Sequence, residues 1–232
     1  MRVLIAVVSC WKSSNYRKTI RETWASLEYP RTDVRFFVGR GSGELTTNEV
    51  QLDCDDSYQG LPSKVQAIAQ WALDRSYGFM LKCDEDVVLK IPEFLRSGFD
   101  LKDFVGHANT DKDSIRAPWG FCYTLSKKAM ELVVNAQLPS NNNDEVWVSK
   151  VLFSNSIILH HDPRYYLYRG RREDFVGIEA RPLRSPPRTE PMFAPSPENA
   201  IAYCMFLHWT GFRALAEERI IAEMKKVFKE KQ

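Results

Sequence analysis

Phe79-Met80-Leu81-Lys82-Cys83-Asp84-Glu85-Asp86 is the stretch whose reading decides the fold. Phe79 to Cys83 reads as a strand, and it runs directly into two carboxylates one residue apart. Residues at i and i+2 of an extended segment point the same way, so Asp84 and Asp86 are expected to face one cation together. Oxygen ligands of this kind suit Mn²⁺ or Mg²⁺. Such an ion bridges the two phosphates of a nucleotide diphosphate and neutralises charge as that group leaves. Taken alone, the pair also fits an acidic strand end facing water. Lys82 is unusual for the interior of a buried strand.

On the amino-terminal side, Val3 to Val8 is β-branched and nearly continuous, the pattern of a strand buried on both faces. Ser13-Ser14-Asn15 offers N-cap residues for a helix from about Tyr16 to Leu27, closed by Pro30. Val34 to Val38 reads as a second strand, and Gly39-Arg40-Gly41-Ser42-Gly43 as a turn that lacks the G-x-G-x-x-G phosphate-loop spacing. An acidic stretch from Asp53 to Tyr58 leads to a helix that opens at Pro62-Ser63 and runs to about Ser76.

On the carboxyl-terminal side, Pro92 starts a short helix and Gly120 to Leu125 is a strand. Ser126 caps a helix over Lys127 to Asn135, Asn141 to Asp144 cap one over Glu145 to Ser154, and Ile157 to Leu159 form a late strand. Residues 181–197 carry Pro182, Pro186, Pro187, Pro191, Pro195 and Pro197, which makes a long irregular segment. A last helix starts near Gly211, and its apolar face of Ile220, Ile221, Met224, Val227 and Phe228 is expected to dock on the rest of the chain. Strands and helices alternate, so the fold class is α/β, with a mostly parallel sheet, helices on both faces and ligands beyond the carboxyl ends of the strands.

The 232 residues suit one domain with a sizeable core, and 44% hydrophobic with 27% charged residues is an ordinary globular balance. A net charge of +2 gives no bulk electrostatic reason for a nucleic-acid or membrane partner. Cys10, Cys54, Cys83, Cys122 and Cys204 form no C-x-x-C and read as buried free thiols, which leans towards a reducing compartment. The first strand is too short to span a bilayer and no small-residue cleavage site follows it. A complete chain would therefore be cytoplasmic; a trimmed one would be the Golgi-lumen part of a type II membrane protein. The oligomeric state is not legible.

A hydrophobic strand ending in Asp-x-Asp-x-Val-Leu also describes haloacid-dehalogenase phosphatases, with Asp84 as nucleophile and Asp86 as acid. Those sites usually sit on the first strand of the chain, and this one follows two α/β units. A non-catalytic sugar-nucleotide or glycan-binding module is a third reading. Several further motifs resemble another family. Arg17-Lys18-Thr19-Ile20-Arg21-Glu22-Thr23-Trp24 is similar to the R-x-x-I-R-x-T-W helix of the β-1,3-galactosyltransferase and N-acetylglucosaminyltransferase family, which includes the fringe and core-1 enzymes. Phe36 to Gly39, Asp56-Ser57-Tyr58 with Leu61 and Lys64, Lys82 to Val87, Gly120 to Ser126, and Asp144-Glu145-Val146 resemble its later motifs in order. The likeness covers about residues 1–165. Gly60-Leu61-Pro62 stands where the family has Asn-Leu-Thr, and Asp144-Glu145 reverses its Glu-Asp.

The resemblance implies a GT-A fold across 1–232, with a nucleotide-sugar-binding half at 1–110 and an acceptor-side half at 111–232. It implies inverting transfer of galactose or N-acetylglucosamine from a UDP-sugar to a glycan acceptor, with Mn²⁺ or Mg²⁺. An inverting transferase needs a carboxylate to take the acceptor hydroxyl's proton. By position that is Glu145, with Asp144 as helix cap or rival base. In the family's arrangement Asp84 and Asp86 would hold the metal and His208 would complete its shell, with His160 and His161 as rivals. Ser9, Arg17, Arg21, Asp56, Lys64, Asp84 and Glu85 line the donor site; Arg21 and Lys64 are candidates for the diphosphate and Asp56 for the nucleoside. Trp119 and Gly120 lie on the substrate side, where Trp119 is a sugar-stacking ring or a core residue. Arg169, Arg171 and Arg172 form a basic knot, for phosphates, an anionic acceptor or plain solvation.

Overall fold

The computed structural model describes residues 1–109, 117–141, 143–168, 202–205, 221–222 and 224–225. In chain order the strands are β1 (Val3–Val8), β2 (Thr32–Val38), β3 (Glu49–Gln51), β4 (Phe79–Asp84), β5 (Val87–Leu89), β6 (Phe104–Asn109), β7 (Ala117–Ser126), β8 (His160–His161), β9 (Tyr165–Tyr168) and β10 (Ala202–Met205). The helices are α1 (Ser14–Glu22), α2 (Leu61–Asp74), α3 (Ile91–Leu95), α4 (Lys127–Val134) and α5 (Asp144–Ser154).

Strand side chains alternate between faces, and β1 uses both. Val3, Ile5 and Val7 pack with Tyr16, Ile20 and Trp24 of the α1 region and with Phe94 of α3. Leu4, Ala6 and Val8 pack with Val65, Ile68 and Ala72 of α2, Met130 of α4 and Val148 of α5. A strand covered on both sides in this way lies in the interior of a seven-stranded sheet of order β3-β2-β1-β4-β7-β6-β8. β1 pairs parallel with β2 and β4, and β2 with β3. β7 runs antiparallel between β4 and β6, and β8 is parallel to β6. The mostly parallel α/β sheet expected from the alternation is therefore present, with one reversed strand. A second sheet, β5-β10-β9, lies beside it in the chain path that leaves β4.

Several elements differ from expectation. α1 stops at Glu22 rather than Leu27, because the Thr23 hydroxyl donates to Thr19 O at 2.7 Å and Trp24 turns into the core, its indole N–H donating to Val87 O at 3.0 Å. Ile157 and Leu159 are buried, yet they make no strand; the ladder with β6 is taken by His160 and His161. Ser126 caps α4 as expected, accepting from Ala129 N at 3.2 Å. Cys54, Cys83 and Cys122 are buried free thiols, and Cys10 is half-buried and free. Helical Met224 is fully buried against the α1 face with Ile221 beside it, so this part of the last helix docks as expected. Among the described residues no helix is long and apolar enough to cross a membrane. The proline-rich 181–197 segment lies outside the described residues.

Candidate active site

Asp84 is the final residue of β4, beside Val8 in the register, so it stands at the carboxyl edge of the sheet. Glu85 and Asp86 form the turn from β4 to β5. The extended Asp-x-Asp geometry is thus replaced by a turn, because the chain must leave the main sheet for the second one. Asp86 is buried, while 38% of the Asp84 side chain remains exposed. Burial pushes the Asp84 carboxyl above its ordinary pKa, against the pull of Lys82.

Lys82 is the hub of the site. Its side chain is 2% exposed, and its ammonium lies 2.7 Å from Asp84 Oδ1 and 3.7 Å from Asp144 Oδ2, and donates to Gly120 O. It also stands 5.5 Å from the centroid of the Tyr123 ring, the residue opposite it across the β4–β7 ladder. Burial alone would lower the Lys82 pKa; the carboxylates of Asp144 and Asp84 outweigh it and raise the net value. The Tyr123 hydroxyl donates to Asp144 Oδ2 at 3.0 Å. Asp144 is therefore no helix cap: Asn143 holds the N-cap position, and the Asp144 carboxylate is drawn inward by a cation and a phenol.

Glu145, the next residue of α5, is half-buried and lies over Gly120. A Cβ on Gly120 would sit 3.1 Å from Glu145 Oε2 and 3.2 Å from its Cδ, so the carboxylate lies close over this glycine and any side chain here would press on it. Burial, and then the charge of Asp144, push the Glu145 carboxyl up to about 7. Two adjacent carboxylates thus have different environments: Asp144 is tied into the protein, and Glu145 faces the site. Trp119, before Gly120, packs partly against the core.

The donor-side residues form a connected scaffold. The Ser9 hydroxyl donates to Glu85 Oε2 at 2.7 Å and accepts from Arg17 at 3.0 Å. Burial pushes Glu85 up to about 7, against the hydrogen bonds from Ser13 and Ser9. Arg17 is buried, bonding Glu49 at 2.9 Å as well as Cys10 O, and Arg21 bonds the same Glu49 carboxylate. Arg21 therefore pairs with Glu49, while Glu22 lies 3.9 Å from Lys18. Asp56 accepts from Lys64 Nζ at 2.8 Å, Gly39 N at 2.5 Å and Trp11 N at 2.8 Å. Lys64 also donates to Ser9 O at 2.8 Å. These residues come together at the ends of β1 and β2, with their polar atoms bonded to one another.

Two carboxylates at a strand end match what Mn²⁺ or Mg²⁺ takes from protein when phosphates supply further oxygens. Among the described residues no group of three His, Cys, Asp or Glu side chains forms a ready metal cage. His208 and the Arg169, Arg171, Arg172 knot lie outside the described residues. His161, on β8, accepts from Ala108 N at 3.0 Å, with β6 and β7 between it and β4, and His160 is exposed. The sequence marks Lys82 as unusual without giving it a role, and nothing local singles out Tyr123 or Trp11. A charged residue inside an apolar strand was the available signal for Lys82; the antiparallel pairing that brings Tyr123 to it leaves no local mark.

No protein-family model and no curated protein matches the chain. The fold is similar to that of solved structures, among them a crystal structure of a glycosyltransferase involved in the glycosylation of the major capsid of PBCV-1. That likeness has 15% identity and a TM-score of 0.52, and it covers 95% of this chain and 99% of the other. With this backbone and strand arrangement, the fold is of the GT-A type.

Proposed function

We propose that the chain is a metal-dependent, inverting glycosyltransferase that moves a hexose or N-acetylhexosamine, galactose or N-acetylglucosamine, from a UDP-sugar to a glycan acceptor. The observation that carries the reading is the cluster around Lys82: Asp84 from β4 and the Asp144-Glu145 start of α5 meet at the carboxyl edge of the sheet. Ligands of open α/β sheets bind at that edge. The GT-A fold, shared with a solved glycosyltransferase, supports the same reaction class.

Asp84 and Asp86 would hold Mn²⁺ or Mg²⁺, which supplies charge neutralisation for the departing UDP when bound. Glu145 takes the proton from the acceptor hydroxyl as its oxygen attacks the anomeric carbon. The sugar–phosphate bond breaks on the opposite face, UDP leaves, and the configuration inverts. In this reading Asp144, bonded to Tyr123 and Lys82, holds the start of α5 in place and leaves that task to Glu145. Ser9, Arg17, Asp56, Lys64 and Glu85 shape the nucleotide cleft, and Arg21 braces it through Glu49. The motif resemblance makes β-1,3-galactosyl or N-acetylglucosaminyl transfer the specific proposal.

Thermal melting with UDP, with and without Mn²⁺, tests the reading. A ligand at 100 times its Kd stabilises the folded state by about 2.7 kcal/mol, roughly 5–10 °C for a chain of this length. The rise should need Mn²⁺ and disappear in Asp86→Asn. No shift with UDP under either condition would contradict the proposal.

A further inference from the structure

Tyr58 is a large aromatic side chain left 67% exposed, and its hydroxyl makes no hydrogen bond to a described residue. The backbone that carries it is nonetheless closely held. The Asp55 carboxylate accepts from Ser57 N at 2.9 Å and from the Ser57 hydroxyl at 2.6 Å. Gly60 N donates to Ser57 O at 3.0 Å, and a Cβ on Gly60 would meet Asp55 O at 2.3 Å, so the loop is closed as tightly as glycine allows. Asp56, inside the same loop, is bonded to Trp11, Gly39 and Lys64 at the carboxyl edge of the sheet. Tyr58 is therefore an exposed ring on a fixed mount at the edge where the site lies. Partial burial raises its pKa first, followed by the carboxylates of Glu145, Asp144 and Asp84, so the phenol stands within the field of the acid cluster. Of the three carboxylates, Glu145 acts on the phenol most.

The ring beside a catalytic base is the one whose hydroxyl that base deprotonates, which is the acceptor sugar. An aromatic face carries negative charge density and packs against the C–H face of a pyranose, at the cost of ordering only two side-chain torsions. Resting on the transferase reading above, we propose that Tyr58 is the platform on which a pyranose of the acceptor glycan stacks while its hydroxyl faces Glu145.

The test titrates methyl glycosides of galactose, glucose and N-acetylglucosamine into the UDP-loaded protein by saturation-transfer NMR, with UDP melting shifts recorded in parallel. Tyr58→Ala should weaken glycoside binding about tenfold, while Tyr58→Phe keeps it within about twofold, since the ring face is what binds. Both variants should keep the wild-type UDP shift. Unchanged glycoside affinity in Tyr58→Ala, equal losses in Phe and Ala, a loss of the UDP shift instead, or no glycoside binding to the wild type would each overturn the proposal. Absence of a UDP shift in the wild type would overturn the transferase reading itself, and this proposal with it.

Discussion

Lys82 has almost no contact with water and faces two carboxylates, one of which is itself buried. Removing one partner of a buried ion pair leaves the other charge uncompensated, at a typical cost of about 3–5 kcal/mol. Lys82→Met should lose stability of that order in denaturant melts, whereas Lys127→Met, at an exposed surface pair on α4, should lose far less. Glu145 raises a different question, because its ordinary carboxylate pKa of about 4.3 has been moved up to about 7 by burial and Asp144. A base works ionised, so kcat/KM should rise with pH through about 7 and then level off. Glu145→Gln should abolish that limb and lower kcat by about 10²–10⁴-fold, with UDP binding retained. The sign for stability is opposite. A carboxyl whose folded pKa lies above its unfolded value favours folding while protonated, and that contribution fades as pH climbs from about 4 to about 7. Glu145→Gln should therefore melt no lower than wild type at pH 8.

Among the elements, β7 and α5 together build the site. β7 brings Gly120 under the Glu145 carboxylate, and α5 starts at the point where Lys82 and Tyr123 can hold Asp144. Gly120→Ala should push the flexible end of Glu145 by a few tenths of an ångström and leave the fold intact. Small misplacements at a reacting centre are costly, so kcat should fall about tenfold or more with the UDP melting shift unchanged. The elements also show which parts were legible in the sequence. β1, β2, β4, α2, α4 and α5 followed from apolar runs and cap residues. β6 did not, since Gly106, His107 and Asn109 break its apolar run. The second sheet did not either, because β5, β9 and β10 are short and far apart in the chain. Asp84, Asp86 and Glu145 were legible as chemistry-bearing residues. The contacts that draw Asp144 inward were not, because they depend on Tyr123 and Lys82 arriving from neighbouring antiparallel strands. Likewise Glu49, which pairs with both Arg17 and Arg21, sits on β3, an edge strand of three residues that leaves no pattern in the sequence.

For the whole molecule, the sheet has one core on each face, and the chain closes one of them late. Met224, fully buried among the α1-side residues, ties the end of the chain to its beginning, and Lys225 lies 3.9 Å from Glu22. Met224→Ala should cost about 2–5 kcal/mol, the range for emptying a buried methionine site. A loss below about 0.5 kcal/mol would mean that the last helix contributes nothing to that face. The assembled molecule offers a GT-A fold, Asp84 and Asp86 at and just beyond the end of β4, and the Glu145 carboxylate held separately at the start of α5. The central claim, metal-dependent transfer from a UDP-sugar, is tested most directly by measuring UDP release from UDP-galactose and UDP-N-acetylglucosamine with Mn²⁺ and with a chelator. Release from at least one donor that needs the metal and falls at least a hundredfold in Glu145→Gln is the expected result. Release from neither donor, or release indifferent to both the metal and Glu145, would contradict it.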